Sequence, residues 1–301
     1  MKVAALVGPT AVGKTEASLR VAEELGAEIV SVDSMQIYRG MDVGTAKPTP
    51  AERERVPHLL IDLLDPAHDL TVAEYQELGR AAIEDISARG RLPFLVGGSG
   101  LYFRALVDDL DFPPRSEEVR RNLELEAEET GAAALYERLR DADPVAAARI
   151  EPGNVRRIVR ALEVVEITGG RFSDNITWDT YESRYELAVA GLERDRNELR
   201  RRIEDRVAAM LDAGLVAEAE EVRRRGAGRT ASQALGYRQI FESSGADLRE
   251  RIATATGRFA RRQFAWFKAD PRVRWFDAAE PGLHDRLVAY FRRALALPWD
   301  A

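Results

Sequence analysis

Residues 2–15 read KVAALVGPTAVGKT, and this stretch decides the fold. Val3 to Val7 are uniformly apolar, as a strand buried on both faces requires. The next eight residues, Gly8, Pro9, Thr10, Ala11, Val12, Gly13, Lys14 and Thr15, match G-x-x-x-x-G-K-[ST], and a helical pattern follows directly. In that context the two glycines let the backbone curl, so that successive N–H groups converge with the helix N-terminus on an anion. Lys14 is placed to reach the terminal phosphate and the Thr15 hydroxyl to hold Mg²⁺. The loop specifies a diphosphate or longer; it does not specify a nucleoside, because base and ribose are read elsewhere.

The pattern repeats outward from that loop. Apolar runs at 28–32, 58–64, 92–96 and 185–193 alternate with helical stretches, which predicts a parallel sheet covered on both faces. One of those helices opens at Thr71, with Glu74 three residues on. A short strand is expected at 272–278. After Phe112-Pro113-Pro114 the texture becomes helical throughout, until a Gly-rich and then polar stretch near 169–183. The expected architecture is a P-loop NTPase-like α/β core (1–112 and 187–301) with an inserted all-helical domain at 113–186.

Composition narrows the chemistry. The chain has 301 residues, 45% of them hydrophobic, which is enough for a large core. With no cysteine, neither disulfides nor thiolate chemistry can be invoked. The start is too short and too interrupted for a signal peptide, and no run approaches the roughly 20 apolar residues of a membrane span, so a cytoplasmic protein is expected. The net charge of −7 does not advertise a polyanionic partner, yet the 44 basic residues are nearly all arginine, lysine standing only at 2, 14, 47 and 268. Arginine offers the better fork for phosphate and the better plane for stacking on bases. Its densest clusters are at 156–160, 200–206, 223–229 and 258–262.

Two further places invite chemistry. Asp33 ends the second predicted strand, where an open parallel sheet carries its ligand crevice. By position it serves as a Mg²⁺ carboxylate, a general base or a helix cap. Gly97-Gly98-Ser99-Gly100 follows the fourth strand and puts bare backbone beside the same crevice, with Ser99 free to donate or simply to cap the next helix.

Taken together, GPTAVGKT, SVDSMQIYRGMDVGTAKPT, LPFLVGGSGLY, NVRRIVRALEV, RIEDRVAAMLDAGL, ALGYRQ and RRQFAWFK stand in the order seen in the tRNA dimethylallyltransferase (tRNA isopentenyltransferase) family, which the chain resembles from residue 3 to about 277. The phosphate loop alone is common to many families; the 33–48 block is far more specific. The resemblance implies transfer of a dimethylallyl group from dimethylallyl diphosphate to the exocyclic N6 of the adenosine 3′ of the anticodon, with the loop holding that donor rather than ATP. It implies Asp33 as acceptor of the N6 proton, Thr10 at the bridging oxygen of the leaving group, and Arg202 on the diphosphate. It implies contacts to the tRNA anticodon stem-loop from Asp33, Ser34, Met35, Gln36, Ser99, Arg120 and the run Arg156, Arg157, Ile158, Val159 and Arg160. Mg²⁺ is the implied cofactor and a monomer the expected state.

The chain departs from the family's pattern in three places. Ser99 replaces a usual threonine, Gly257 a commonly basic residue, and His58 stands alone where two histidines are usual. None touches the implied chemistry.

That chemistry makes independent sense. An adenine amine is a poor nucleophile, so its alkylation needs a base for the proton and charge stabilisation for the departing diphosphate. Arg196, Leu199, Arg202, Ile203, Arg206 and Met210 recur at spacings of three and four, predicting one mixed stripe that walls a cleft. Phe264, Trp266 and Phe267 are candidates for base stacking or for core. A stacked adenine cannot reach a recessed base, so a splayed nucleotide is expected. Three other readings of these residues are a kinase of a nucleotide or small metabolite, a prenyl transferase for free adenine nucleotides, and an RNA-gripping nucleotide-binding module without turnover.

Overall fold

The computed structural model describes residues 1–175, 180–242, 245 and 247–298. Six parallel strands, β1 (Lys2–Val7), β2 (Ala27–Val32), β3 (His58–Leu59), β4 (Leu92–Gly97), β5 (Glu186–Glu193) and β6 (Val273–Asp277), form one sheet in the order β3-β2-β4-β1-β5-β6. The chain runs outward from β1 to β2 and β3, returns to β4, and then builds the opposite edge with β5 and β6.

Between β1 and β4 lie α1 (Lys14–Leu25), α2 (Pro50–Arg55) and α3 (Val72–Ala88); α4 (Gly100–Val107) follows β4. The helical insertion comprises α5 (Glu117–Thr130), α6 (Ala132–Ala142), α7 (Pro144–Arg149) and α8 (Val155–Thr168). After β5 come α9 (Arg196–Asp212), α10 (Leu215–Arg224), α11 (Arg229–Ser232), α12 (Tyr237–Glu242), α13 (Leu248–Lys268) and, past β6, α14 (Leu283–Ala294).

The period of two in β1 distributes the core. Val3, Ala5 and Val7 pack with α3, α4, α10 and α13, whereas Ala4 and Leu6 pack with α1 and α14. Both faces are therefore dry, which is why β1 reads as unbroken apolar sequence. The third strand is shorter than its run of apolar residues predicts. Leu60 (φ 62°) and Asp62 (φ 57°) turn the chain out of the extended region after two residues. That turn delivers the Asp62 carboxylate to Lys47, at 2.6 Å, and to Arg53.

The chain forms two compact units, Met1–Asp109 with Tyr181–Ala301, and Leu110–Thr180. These limits fall slightly ahead of the double proline and of residue 187, because a bridge between Asp108 and Ser183 and an Arg184 N–H to Val107 hydrogen bond zip the two crossing segments together inside the first unit. The second unit is helical and has its own core of Leu123, Leu135, Leu139, Ile158 and Leu162. Among the described residues no helix is long and apolar enough to cross a membrane.

Candidate active site

At the carboxyl ends of β1, β2 and β4 lies a cavity of about 540 Å³ in the first unit. The phosphate loop, Asp33 and Gln36 after β2, Gly97 and Gly98 of β4 and its exit, Arg202, Asp205 and Arg206 of α9, and Phe259 and Gln263 of α13 line it. The three strand ends thus bring their loops together with α9 and α13, segments far apart in sequence, as an open α/β sheet does at its carboxyl edge.

The loop is built by close approach of backbone. Gly8 has φ +148°, and a Cβ there would lie 2.7 Å from the Leu192 carbonyl oxygen. Ala11 occupies the left-handed region (φ 64°), a cost of about 1 kcal/mol for a residue with a side chain. The Arg202 Nε donates to the Ala11 carbonyl at 2.9 Å, so the arginine assigned to the diphosphate already braces the loop. Lys14 Nζ donates to the Gly8 and Pro9 carbonyls at 2.9 and 2.7 Å. Within residues 8–15, Thr10, Ala11, Gly13, Lys14 and Thr15 line the cavity. Val12 instead puts its side chain in the core, and Pro9 borders a second hollow.

Asp33 stands where the sequence places it, on the cavity wall with Lys14 and Arg206. No helix follows; its Oδ1 accepts the Met35 N–H at 2.9 Å and closes a turn, which removes the helix-cap reading. Burial raises its carboxyl above the usual range, against the pull of the Met35 N–H, Lys14 and Arg206. Burial and the neighbouring Arg206 guanidinium bring the Lys14 ammonium down to about 7, opposed by Asp33. Arg206 itself is lowered by burial. A carboxyl and two cations thus share one desolvated space, a charge balance that an incoming anion would tip strongly.

Gln36 lines the cavity, but its amide is committed. The Ser31 hydroxyl donates to its Oε1 at 2.8 Å, and its Nε2 donates to the Thr45 and Ala46 carbonyls. Ser34 and Met35 do not line the cavity, Met35 packing against the core. Ser99 sits at the N-terminus of α4 without using its hydroxyl as a cap; its neighbours Gly97 and Gly98 line the cavity and it does not.

The segment 33–47 is held from outside by a residue that the sequence did not single out. Glu218 of α10 accepts the Asp42, Val43 and Gly44 N–H groups at 2.8, 2.8 and 2.9 Å, and the Tyr237 hydroxyl at 2.5 Å. The Lys47 side chain, 1% exposed, is buried against Asp42 and Asp62. The specificity of that block is therefore largely architectural.

The expected single stripe on α9 divides in two. Arg202 and Arg206 face the cavity with Asp33. Arg196, Leu199 and Ile203 instead face a second hollow of about 1160 Å³, whose other wall is α13. Met210 packs against the core. Of the aromatic candidates, Phe267 is core against Phe103 and Phe264 packs edge-on to Trp275, while Trp266 is exposed beside Gly100. Phe259, which sequence reading passed over, is the aromatic residue on the cavity wall.

In the helical unit, Arg156 and Arg157 are exposed, but Ile158 and Val159 are 0% and 2% exposed, in the core. Their side chains are withdrawn into that core, so within 156–160 the exposed positions are Arg156 and Arg157, with Arg160 half-buried. A helix that presents Arg156 and Arg157 outward must turn the next two residues inward. Arg120 and Arg160 both hydrogen-bond the buried Glu163 carboxylate, at 2.7 and 2.8 Å.

The match to known proteins agrees with this geometry. Residues 36–270 fit the family model described as IPP transferase. The chain belongs to the IPP transferase family. A tRNA dimethylallyltransferase of Nocardioides sp. is 51% identical over 95% of this chain and 94% of its own. One from Thermobifida fusca is 50% identical over 95% and 93%. The crystal structure of a tRNA isopentenylpyrophosphate transferase from Bacillus halodurans superposes with a TM-score of 0.71 at 38% identity, covering 98% of both chains. A eukaryotic dimethylallyltransferase captured acting on tRNA superposes with 0.79 at 26% identity, covering 98% of this chain and 78% of that one. The family model begins inside the 33–48 block, so the assignment to IPP transferases does not depend on the widely shared phosphate loop.

Proposed function

We propose that this IPP transferase family member moves a dimethylallyl group from dimethylallyl diphosphate to the exocyclic N6 of the adenosine immediately 3′ of the anticodon in tRNA. The observation that carries the reading is the shared cavity: one half-buried carboxyl, with its proton affinity raised, faces a phosphate loop and two arginines.

The N6 lone pair forms a bond to the allylic carbon as that carbon's bond to the diphosphate oxygen breaks. The N6 proton passes to Asp33, and the electron pair leaves with diphosphate. A carboxylate made more basic by burial takes a proton near neutral pH better than an exposed one. The charge gathering on diphosphate meets the loop amides, Lys14, Arg202 and Arg206. Thr10 is assigned to the bridging oxygen.

Among the described residues no group of three acidic or histidine side chains can cage a metal. Thr15, on the cavity wall, is the residue whose hydroxyl would hold Mg²⁺ in the manner of phosphate loops. When bound, the ion would neutralise leaving-group charge.

For the RNA, Arg156 and Arg157 of the helical unit supply exposed cations, and the cavity beside Asp33, with Phe259 on its wall, is where a splayed base would enter. We read the enzyme as a monomer acting in the cytoplasm, where a tRNA substrate would meet it. The test is incubation with Mg²⁺ and unmodified tRNA, offering labelled dimethylallyl diphosphate or labelled ATP. Label entering RNA from the prenyl donor alone supports the reading; transfer from ATP alone ends it in favour of a kinase.

A further inference from the structure

We propose that Gln263 is a positioning residue that sets Thr10 for the reaction; this rests on the function proposed above. Gln263 lies on the buried stripe of α13 formed by Ile252, Thr256, Ala260, Gln263 and Phe267, and it is 7% exposed. Its Oε1 accepts the Thr10 N–H at 2.9 Å, and its Nε2 donates to the Gly98 carbonyl at 2.9 Å. A backbone N–H only donates and a carbonyl only accepts, so the two partners fix the amide in one orientation; a flip loses both bonds. The fit is tight. A Cβ on Gly98 would fall 2.2 Å from Nε2 and 2.9 Å from the Gly8 carbonyl oxygen.

One side chain thus spans the two glycine loops and fixes the width of the slot between them. It also decides what Thr10 offers. With the Thr10 N–H directed to Gln263, that amide is withdrawn from an anion in the cavity, and Thr10 meets it with its remaining groups. Gln263 acts through Thr10 and Gly98; it moves no proton and breaks no bond.

The test exploits the difference between an amide and a carboxyl. In Gln263→Glu the ionised side chain can accept from Thr10 but cannot donate to Gly98, and it sets a charge against a carbonyl. Once protonated it can do both. Single-turnover and steady-state rates with dimethylallyl diphosphate and tRNA are measured for wild type, Gln263→Glu and Gln263→Leu between pH 6 and 8.5. At pH 8.5 kcat of the Glu variant is expected to fall about 100-fold with donor KM within about threefold, the size of loss that misplacement by about 1 Å produces. Its rate relative to wild type at the same pH is expected to climb about tenfold toward pH 6, because a buried carboxyl protonates early. The Leu variant, which can make neither bond, is expected to be low and flat across that range.

A relative rate for Gln263→Glu that does not change with pH, a loss confined to KM, or wild-type turnover overturns the proposal. If the Glu variant fails to fold at pH 8.5, the Leu variant decides: kcat lost with KM kept supports the proposal, and wild-type kcat overturns it. Wild type that transfers no prenyl group in the same assay takes down the proposed function and this inference with it. An active wild type with indifferent variants takes down the inference alone.

Discussion

The arginines of the two units do different work. In the core unit, Arg202 and Arg206 face a cavity, and Arg202 spends its Nε on a loop carbonyl rather than on an acid. In the helical unit, Arg120 and Arg160 converge on Glu163, which is fully buried, and Arg160 also holds the Pro113 and Pro114 carbonyls. One pair is kept available to an incoming anion; the other is consumed in holding the entry of a domain. Two arginines equally prominent in sequence can therefore be, respectively, a cavity wall and a scaffold. The distinction is made by whether a buried carboxylate takes their hydrogen bonds, as Glu163 does from Arg120 and Arg160.

The sharpest way to break this contrast is to remove the cavity carboxyl that stands with Lys14 and Arg206. Asp33→Asn is expected to lower kcat by about 10³-fold or more, within the range for loss of a general base, while tRNA affinity by filter binding changes less than about twofold. The pH profile carries the sign. Burial raises the Asp33 carboxyl, and the base must be ionised, so wild-type kcat climbs as pH rises through that raised value and is lost below it. The residual rate of the Asn variant is expected to lack that limb. A retained limb in Asp33→Asn assigns the base to another group.

Next in size is Arg202→Ala, expected to lower kcat by about 10²-fold, as removal of one donor to a developing anion does. Arg120→Ala is the matching control in the other unit: its kcat is expected to stay within about threefold of wild type, because its guanidinium is already committed to Glu163. Equal kcat losses in the two variants would erase the comparison.

Stability shows the reverse. Glu163→Gln is expected to cost about 2 kcal/mol, from two charge-assisted hydrogen bonds weakened in a dry site. Burial pushes the Glu163 carboxyl up, but Arg120, Arg160 and the Ser116 N–H outweigh it and leave it below its ordinary 4.5. Its stabilisation is therefore complete above the unfolded-state value and lost as pH falls through the lowered one. Hydrogen exchange in residues 110–180 of the full chain, wild type against Glu163→Gln, checks this. The gap is expected at pH 7 and to narrow as pH falls below the ordinary glutamate value of 4.5.

Much of the core was legible in the sequence, for identifiable reasons. β1 and its glycine loop combine a period-two core with a fixed phosphate spacing, and both signals are local. Asp33 was legible because a strand's carboxyl end predicts its surroundings. What could not be read is what depends on a distant partner. Gln36 looks like a ligand for a base until Ser31 and Thr45 are seen to occupy it, and Glu218 looks like any helical glutamate until three N–H groups of 42–44 are seen to point at it. The α9 stripe failed because helical spacing groups side chains within about one face without saying where the neighbouring wall divides it. Gln263 left a usable trace: a polar amide on the apolar stripe of α13 has to be satisfied by something.

The smallest expected effect is also the cleanest test of which helical-unit arginines meet RNA. Arg156 and Arg157 are exposed at the start of α8, whereas Ile158 and Val159 behind them are core. Arg156→Ala and Arg157→Ala are each expected to weaken tRNA binding about two- to fivefold and to reduce the slope of log affinity against log salt by roughly 0.7–0.9. Neither is expected to shift thermal stability, because an exposed side chain without a buried acid holds nothing in place. Arg120→Ala is expected to do the opposite: lower stability with the salt slope unchanged. Salt titrations of all three variants beside their melting curves separate contact from scaffold. If Arg120→Ala reduces the slope as much as Arg156→Ala does, the buried Glu163 has not withdrawn that arginine from the RNA, and the division between the two kinds of arginine fails at this point.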